Sequence, residues 1–363
     1  MLYFSRFKMT LIWVAMAITG VLGAPSLFAA SPLAKQQPDW KPKLQMAIGL
    51  DQQGGSHILL SLDLDDLIKG RLETTRDEIR SLLRSHRIGY TGLARSGRTV
   101  QVRISDPTQV DAARTALKTL TDPVAASGSI QEMALDESEP GLLKFTATDA
   151  AIKYRTSTAL AQSIEVIKRR VYELGITEPI VQHQGDDRIR VQAQGLQDLE
   201  RLNEILSRTA KLTVQLVDQS MSVQDAVNGR PPAGSSVLYS QDDPPVPYLI
   251  ENRFIVSGQH LIDAQATYNS PDNEPVVSFT LDSKGTARFG QATSQNVGKL
   301  IAIILDDQVI SAPQIREPIL GGTGQISGNF TAQNAKDIAL LLRAGPLPAR
   351  LTIVEESPMA APK

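Results

Sequence analysis

Apolar residues recur along this chain with two periods, and each period predicts a different element. In 58-ILLSLDL-64 every second residue is apolar, which places one face of a strand against a core. In 157-STALAQSIEVIKRRVYELG-175 the apolar positions step by four, three, four and three residues. That spacing predicts a helix, and the glycine at its end predicts where the helix stops. The same two patterns predict strands over 99–104, 142–148, 179–184, 188–192 and 211–217, and helices over 71–89 and 196–209.

The predicted elements fall into two successive groups, offset by roughly 87 residues, which is the signature of an internal repeat. The second group has the order β-α-β-β-α-β, which is the order of a split βαβ, or ferredoxin-like, unit. Two amphipathic helices on one face of an antiparallel sheet bury both apolar stripes. We therefore predict an α+β fold in which two ferredoxin-like βαββαβ repeats form a base over residues 45–244.

A third group of elements follows the proline-rich stretch 241-QDDPPVP-247. It contains a strand over 276–281, a hairpin that turns at Asp306-Asp307 and a helix that begins after Thr331. We assign residues 245–345 to a head, 346–356 to a strand that returns to the base, and 357–363 to a disordered tail. The chain is predicted to cross between base and head at a hinge, whose candidate residues are Pro244, Pro245, Gly345 and Pro346.

The N-terminal segment is apolar and long enough to span a bilayer. Residues 11–30 carry no charge, and Arg6 and Lys8 precede them. A secretory signal peptide is the alternative, but Leu27 and Phe28 occupy positions where cleavage requires small residues. We therefore predict an uncleaved membrane anchor over residues 1–30, and either interpretation exports the rest of the chain. Residues 31–44, rich in proline and lysine, are predicted to be an extended linker.

Composition argues against several kinds of site. The chain has no cysteine, which excludes disulfides and thiolate ligands, and its net charge of −2 gives no basic footprint for nucleic acid. No catalytic arrangement of serine, histidine and aspartate can be assembled from the order of residues. We therefore predict no enzymatic activity, no cofactor and no metal. The four histidines, none at metal-ligand spacing from another, are His57, His86, His183 and His260.

Two glycine clusters and two charged runs have simple structural interpretations. Gly54-Gly55 leads into a strand without a following Gly-Lys-Ser/Thr, so we predict a bend and not a phosphate loop. The cluster 321-GGTG-324 is predicted to be a flexible loop and not a nucleotide site. Asp63, Asp65 and Asp66 are predicted to lie at a solvated strand end, and Lys168-Arg169-Arg170 to form a solvated helix face.

Several of these segments together resemble one family, SecD, an accessory subunit of the bacterial protein-export translocase. The resemblance covers most of residues 45–356 and concerns its first periplasmic domain. The family's loop motif corresponds to Gly49, Asp51, Gly54 and Gly55, with Gln52 where the family usually has leucine. The matching segments include 49-GLDQQGGSHILL-60, 157-STALAQSIEVIKRRVYELGITEPIVQHQGDDRIRVQ-192, 275-PVVSFTLDSKG-285, 310-ISAPQIREPILGGTGQISGNFT-331 and 340-LLLRAGPLPARLTIVEE-356.

The resemblance implies a function in export. It implies that base and head form a jointed lever near the translocase exit, and that the head binds unfolded preprotein and hinders its backsliding. It also implies the partners SecF and the SecYEG channel, and a place in the bacterial inner membrane with the bulk of the chain in the periplasm. We predict a single pass, because no second long apolar run follows residues 11–30. In the family the proton pathway lies in later membrane helices, so this chain is expected to have none of its own.

Binding of an unfolded client requires a sequence-tolerant apolar surface on the head. The alternative for Val277, Phe279 and Leu281 is that they are core residues. Two other functions stay open: a stand-alone anchored polypeptide-binding module, and an enzyme or nucleotide-binding protein on the same scaffold. The residues predicted to bind preprotein are Val277, Phe279, Ile319, Leu320, Gly321, Gly322, Ile326 and Phe330.

Overall fold

The computed structural model describes residues 55–124, 128–176, 179–194, 198–270 and 272–359. The predicted anchor, the linker and the motif residues Gly49, Asp51 and Gly54 lie outside the described residues, and Gly55 begins the first strand. Within the part of the chain described, no helix has both the length and the apolar character needed to cross a bilayer. Residues Ser56–Ser357 form one compact unit.

Along residues 55–217 the elements follow the predicted order β-α-β-β-α-β twice, whereas the helix at 223–228 and the strands within 235–268 have no predicted counterpart. The first group is β1 (Gly55–Leu62), α1 (Leu64–Ser85), β2 (Tyr90–Ser96), β3 (Thr99–Ile104), α2 (Val110–Leu117), β4 (Met133–Asp136), β5 (Leu142–Ala147), α3 (Asp149–Glu173), β6 (Ile180–Gln184), β7 (Arg188–Gln194) and α4 (Leu199–Ser207). The second group is β8 (Leu212–Val217), α5 (Val223–Asn228), β9 (Ser235–Ser240), β10 (Pro247–Ser257), β11 (Leu261–Tyr268), β12 (Pro275–Leu281), α6 (Ser283–Gln295), β13 (Ile301–Leu305), β14 (Gln308–Ser311), β15 (Thr323–Ile326), α7 (Ala332–Ala344) and β16 (Leu351–Met359).

Two four-stranded sheets occupy residues 56–207 and 347–357, which we call the two-sheet part. One sheet has the order β16-β1-β7-β6 and the other the order β2-β3-β5-β4. The first sheet packs against α3 and α4, because Leu160, Ile167 and Val171 of the predicted stripe are buried with its strands. The second sheet packs against α1 and α2 through Phe145 and its neighbours.

The strands are distributed between these sheets differently from the predicted repeats. The strand predicted to open the second repeat, β5, lies in the other sheet, paired with β3 and β4. The strand beside β7 is β1, from the other predicted repeat, and β8 lies in neither sheet. The prediction of two consecutive repeats is therefore wrong in strand membership, although the order of elements along the chain is right. Local periodicity identifies a strand, but partner choice depends on long-range packing.

A closed barrel and a three-stranded sheet make up residues 212–344, which we call the barrel part. The barrel order is β10-β8-β13-β14-β9, and the sheet order is β11-β12-β15. The predicted hairpin at Asp306-Asp307 is confirmed: both residues have positive φ, and Leu305 pairs with Gln308. Since β8 and β9 belong to the barrel, the boundary predicted at 244/245 falls inside it, in the loop between β9 and β10.

The first helix also begins earlier than its periodicity predicts. Asp63 is not at a solvated strand end but caps α1, and its carboxylate accepts a hydrogen bond from the Asp66 amide at 3.0 Å. Asp65 and Asp66 lie in the first turn, where acidic side chains are favoured. Leu64, just after Asp63, continues the alternation of β1, which hides the change from strand to helix.

Candidate functional site

Three of the residues predicted to bind a client are core residues of the barrel part. Val277 and Phe279 of β12 and Ile326 of β15 are buried in one cluster. Phe279 also packs edge-on against Phe289 of α6, with ring centroids 6.2 Å apart. Phe279 therefore attaches α6 to the sheet, and none of the three side chains forms the sheet's surface.

The glycine cluster 321–324 is a turn followed by a strand. The prediction of a flexible loop is wrong for Thr323 and Gly324, which belong to β15. Gly324 lies opposite Phe279 in the sheet register, and a Cβ at Gly324 would lie 2.5 Å from the Phe279 ring. Gly322 has φ of 70°, and a Cβ there would lie 2.1 Å from the Thr286 hydroxyl oxygen. Both glycines are thus required by local geometry.

Substitution of Gly322 by alanine is expected to destabilise the protein by about 2 kcal/mol, from the positive φ and the overlap with Thr286. Gly321 is the matched control, because a Cβ there would meet no atom closer than 3.9 Å. The free energy of unfolding in urea measures both variants. Equal effects of Gly321→Ala and Gly322→Ala would contradict this account of the turn.

A short segment ahead of β15 is held against α6 with one large apolar side chain exposed. Ile319 packs partly against the core, and its amide donates to the Thr293 hydroxyl at 3.0 Å. The next side chain, Leu320, is 68% exposed. It lies over Gly290 of α6, where a Cβ would approach Leu320 to within 3.2 Å. Leu320 is therefore held at the surface by an ordered backbone contact.

A groove lies between β10 and α6. Its volume is about 450 Å³, and Phe254, which is 56% exposed, lines it together with Arg288 and Ala292. Leu320 thus contacts α6 at Gly290, and Phe254 lies across the groove from α6. We call Leu320, Phe254 and the exposed residues of α6 between them the α6 surface.

The N-terminus of α6 carries a small polar cluster. Asp282 caps the helix by accepting from the Gly285 amide at 2.6 Å, and it contacts the His260 ring at 3.1 Å. The Gly285 amide, and then the His260 side chain, hold the pKa of Asp282 below its usual value. The cluster is a helix cap, and among the described residues no group of histidine and acidic side chains could hold a metal ion.

The remaining predicted residues lie in several places. Phe330 packs partly against the barrel-part core. Pro244 and Pro245 lie in the β9–β10 loop, whose Val246 amide donates to the Ser240 hydroxyl at 2.9 Å. Gly345, with φ of 89°, ends α7, and Pro346 follows it where the chain returns to the two-sheet part. The four hinge candidates therefore belong to two separate segments.

The predicted environment of Arg170 is also wrong. It is 0% exposed, whereas the run 168–170 was expected to be a solvated face. The sequence does contain a signal for this burial, because positions 163, 167, 170 and 174 step by four, three and four along one helical face. The positive charge of Arg170 therefore does not indicate that its side chain is exposed.

Comparison with known proteins gives the same family for both parts of the chain. The SecDF P1 head subdomain matches residues 235–349, and the N-terminal P1 domain of protein translocase subunit SecDF matches residues 160–219. Protein translocase subunit SecD of Rickettsia bellii is 36% identical over 87% of this chain and 59% of its own length. The SecD of Acetobacter pasteurianus is 36% identical over 98% of this chain and 66% of its own length.

A solved structure shares the fold. The crystal structure of SecDF in its super-membrane-facing form superposes with a TM-score of 0.53 at 22% identity. The superposition covers 95% of this chain and 35% of that one.

The fold and the two domain matches define a protein that carries a P1 domain of the kind found in protein translocase subunits. The chain belongs to the SecD family. It spans 59–66% of the length of the two SecD relatives described above.

Proposed function

We propose that this protein is an accessory subunit of the protein-export translocase that binds unfolded preprotein as it emerges and hinders its backsliding. Its partners would be SecF and the SecYEG channel. Residues 1–30 would anchor it in the bacterial inner membrane, with the bulk of the chain in the periplasm. The function is one of binding and not of catalysis. Family membership supports this proposal.

The observation that carries the binding proposal is the α6 surface. An unfolded client offers scattered apolar side chains with no fixed sequence, so its receptor needs apolar contacts with a polar rim. Leu320 and Phe254 supply exposed apolar area, and Arg288 and Gln291 supply the polar rim of the groove. Of the residues predicted from sequence, Leu320, Ile319 and Gly321 remain candidates on this surface.

The double substitution Leu320→Ser and Phe254→Ser is expected to weaken binding of an unfolded polypeptide at least fivefold. A reduced and carboxymethylated protein that cannot refold is the probe, and fluorescence anisotropy of the labelled probe measures its affinity for the full chain. Tyr172→Ser is the matched control, because Tyr172 is 67% exposed but lies on α3 in the two-sheet part. An unchanged affinity in the double variant would place the client elsewhere.

We further propose that the sheet β16-β1-β7-β6, with α3 and α4, is a ferredoxin-like unit. Numbered in chain order, the strands β16-β1-β7-β6 run fourth, first, third, second. The α1–β5 segment is inserted between β1 and α3 of that unit, and the barrel part between α4 and β16. In this arrangement the chain crosses between the two parts at 208–211 and at 345–346, and Gly345 and Pro346 are the proposed hinge residues.

A further inference from the structure

Arg170 lies in the interior where the two parts meet, and its charge has an unusual set of partners. One terminal nitrogen, Nη1, donates to the Ile205 carbonyl at 2.7 Å and also to the Arg208 carbonyl. The other, Nη2, donates to the carbonyls of Thr209 at 3.3 Å and Gly345 at 3.2 Å. Every partner is a backbone carbonyl. Within the described chain, no carboxylate hydrogen-bonds this guanidinium, and its buried Nε has no partner.

These carbonyls belong to the ends of two helices. Ile205 and Arg208 lie at the C-terminus of α4, and Gly345 is the C-cap of α7. The last carbonyls of a helix have no partner within the helix and carry the negative end of its dipole. The guanidinium therefore satisfies the C-termini of two helices at once, which explains how a cation is accommodated there without a carboxylate in contact.

The same carbonyls mark both places where the chain passes between the two parts. The first crossing is residues 208–211, which leads from α4 to β8, and the second is residues 345–346, which follows α7. The residue directly after the second crossing contacts the first crossing, since the Leu347 amide donates to the Thr209 carbonyl at 2.8 Å. Arg170, on α3, is thus bonded to both crossings from the two-sheet side.

Asp306 holds the first crossing from the barrel side. Its carboxylate accepts from the amides of Ala210 at 3.1 Å and Lys211 at 2.9 Å, and from the Thr209 hydroxyl. Burial lowers the pKa of Arg170 to about 10, although the negative charge of Asp306 raises it in part. Arg170 therefore remains a cation at neutral pH. The first crossing therefore lies between a cation on α3 and an anion on the β13–β14 turn.

We propose that Arg170 is a positioning residue for the orientation of the barrel part on the two-sheet part, because it joins both chain crossings to α3. Reorientation requires the guanidinium to release the Gly345 carbonyl. Arginine suits this position because its planar group offers five donors in a fixed arrangement, whereas lysine offers three from one atom. The proposal does not depend on what the barrel part binds.

Distance measurement between the two parts tests the proposal. The chain has no cysteine, so cysteines introduced at the exposed positions Gln182 and Gln325 carry nitroxide labels in the full chain in detergent. Double electron–electron resonance is expected to give one narrow distance distribution. Arg170→Met is expected at least to double its width or add a second peak, with Arg170→Lys intermediate. The matched control, Arg169→Met, alters the exposed neighbour and leaves the distribution unchanged.

An Arg170→Met variant that keeps the narrow distribution, and only unfolds at a lower temperature, would overturn the proposal. Hydrogen exchange of the unsubstituted chain gives a second test in case that variant does not fold. The Lys211 amide reports on the first crossing, and the Leu347 amide, directly after the second crossing, reports on the second. If Arg170 holds both crossings, the two crossings open together, and the protection factors of these two amides agree within about twofold. A tenfold difference between the two protection factors would contradict the proposal.

Discussion

Replacement of Phe279 by alanine is expected to lower the free energy of unfolding by about 3–5 kcal/mol, the usual cost of removing a buried phenyl ring. Phe279 is 7% exposed and packs edge-on against Phe289, with Gly324 against its ring. The cavity cannot close easily, because β12 and β15 are paired in the sheet and Gly324, opposite Phe279, has no side chain to fill it. Urea unfolding followed by circular dichroism measures the loss.

Leu320→Ala is the control for this prediction. Leu320 is as large and apolar as a core residue but is 68% exposed. Its truncation to alanine should therefore change the unfolding free energy by less than about 0.5 kcal/mol. The pair separates a core residue from a surface residue in two segments that sequence reasoning assigned to one binding site. If Leu320→Ala lowered the unfolding free energy more than Phe279→Ala, the assignments of core and surface residue would be reversed.

Replacement of Glu132 by glutamine is expected to cost about 2–3 kcal/mol at neutral pH, because two arginines lose their charged acceptor. Arg71 binds Glu132 with two hydrogen bonds, at 2.6 and 3.1 Å, and Arg155 contacts the same carboxylate. Arg71 lies on α1 and Arg155 on α3, so the carboxylate joins helices that cover different sheets. Asp149→Asn is the control, since the Asp149 side chain is 94% exposed in its pair with Arg98.

The effect of Glu132 should also depend on pH. Burial raises the pKa of Glu132, but the hydrogen bonds and charges of Arg71 and Arg155 outweigh burial and leave it below the ordinary value of 4.5. A carboxyl whose pKa is lowered by folding contributes stability above its unfolded pKa and loses it as pH falls through the folded pKa. The difference between the unsubstituted chain and Glu132→Gln should therefore be full at pH 7 and shrink below pH 4.5. A difference that grows with acidity would contradict this.

Sequence reasoning succeeded where the determining contacts are local. The apolar stripe of α3, the hairpin at Asp306-Asp307 and the cap at Thr331 each depend on residues a few positions apart. Such features follow from helical or strand periodicity and from turn chemistry. Here the sequence identified the element and the structure confirmed it.

It failed where a distant segment decides the outcome. β1 lies between β7 and β16, and its Ser61 contacts residues 126 and 291 positions away in the chain. β5 pairs instead with β3 and β4, which precede it in the chain. The periodicity of α3 places Arg170 on a buried face, but the carbonyls of Ile205 and Gly345 that accept from it lie in distant segments and do not follow from that periodicity. The apolar alternation correctly predicts that Val277 and Phe279 share one face of a strand. It contains no information on what covers that face, which in the structure is α6 and α7.

The central claim, that the α6 surface contacts preprotein in transit, is tested most directly by photocross-linking in living cells. A photoreactive amino acid replaces Leu320 in the intact chain, and a matched chain carries it at Tyr172 in the two-sheet part. We predict adducts between position 320 and exported precursors whose passage has been stalled, and few from position 172. Equal labelling at both positions, or adducts at position 320 without any exported precursor, would contradict the claim and favour a module that works apart from the translocase.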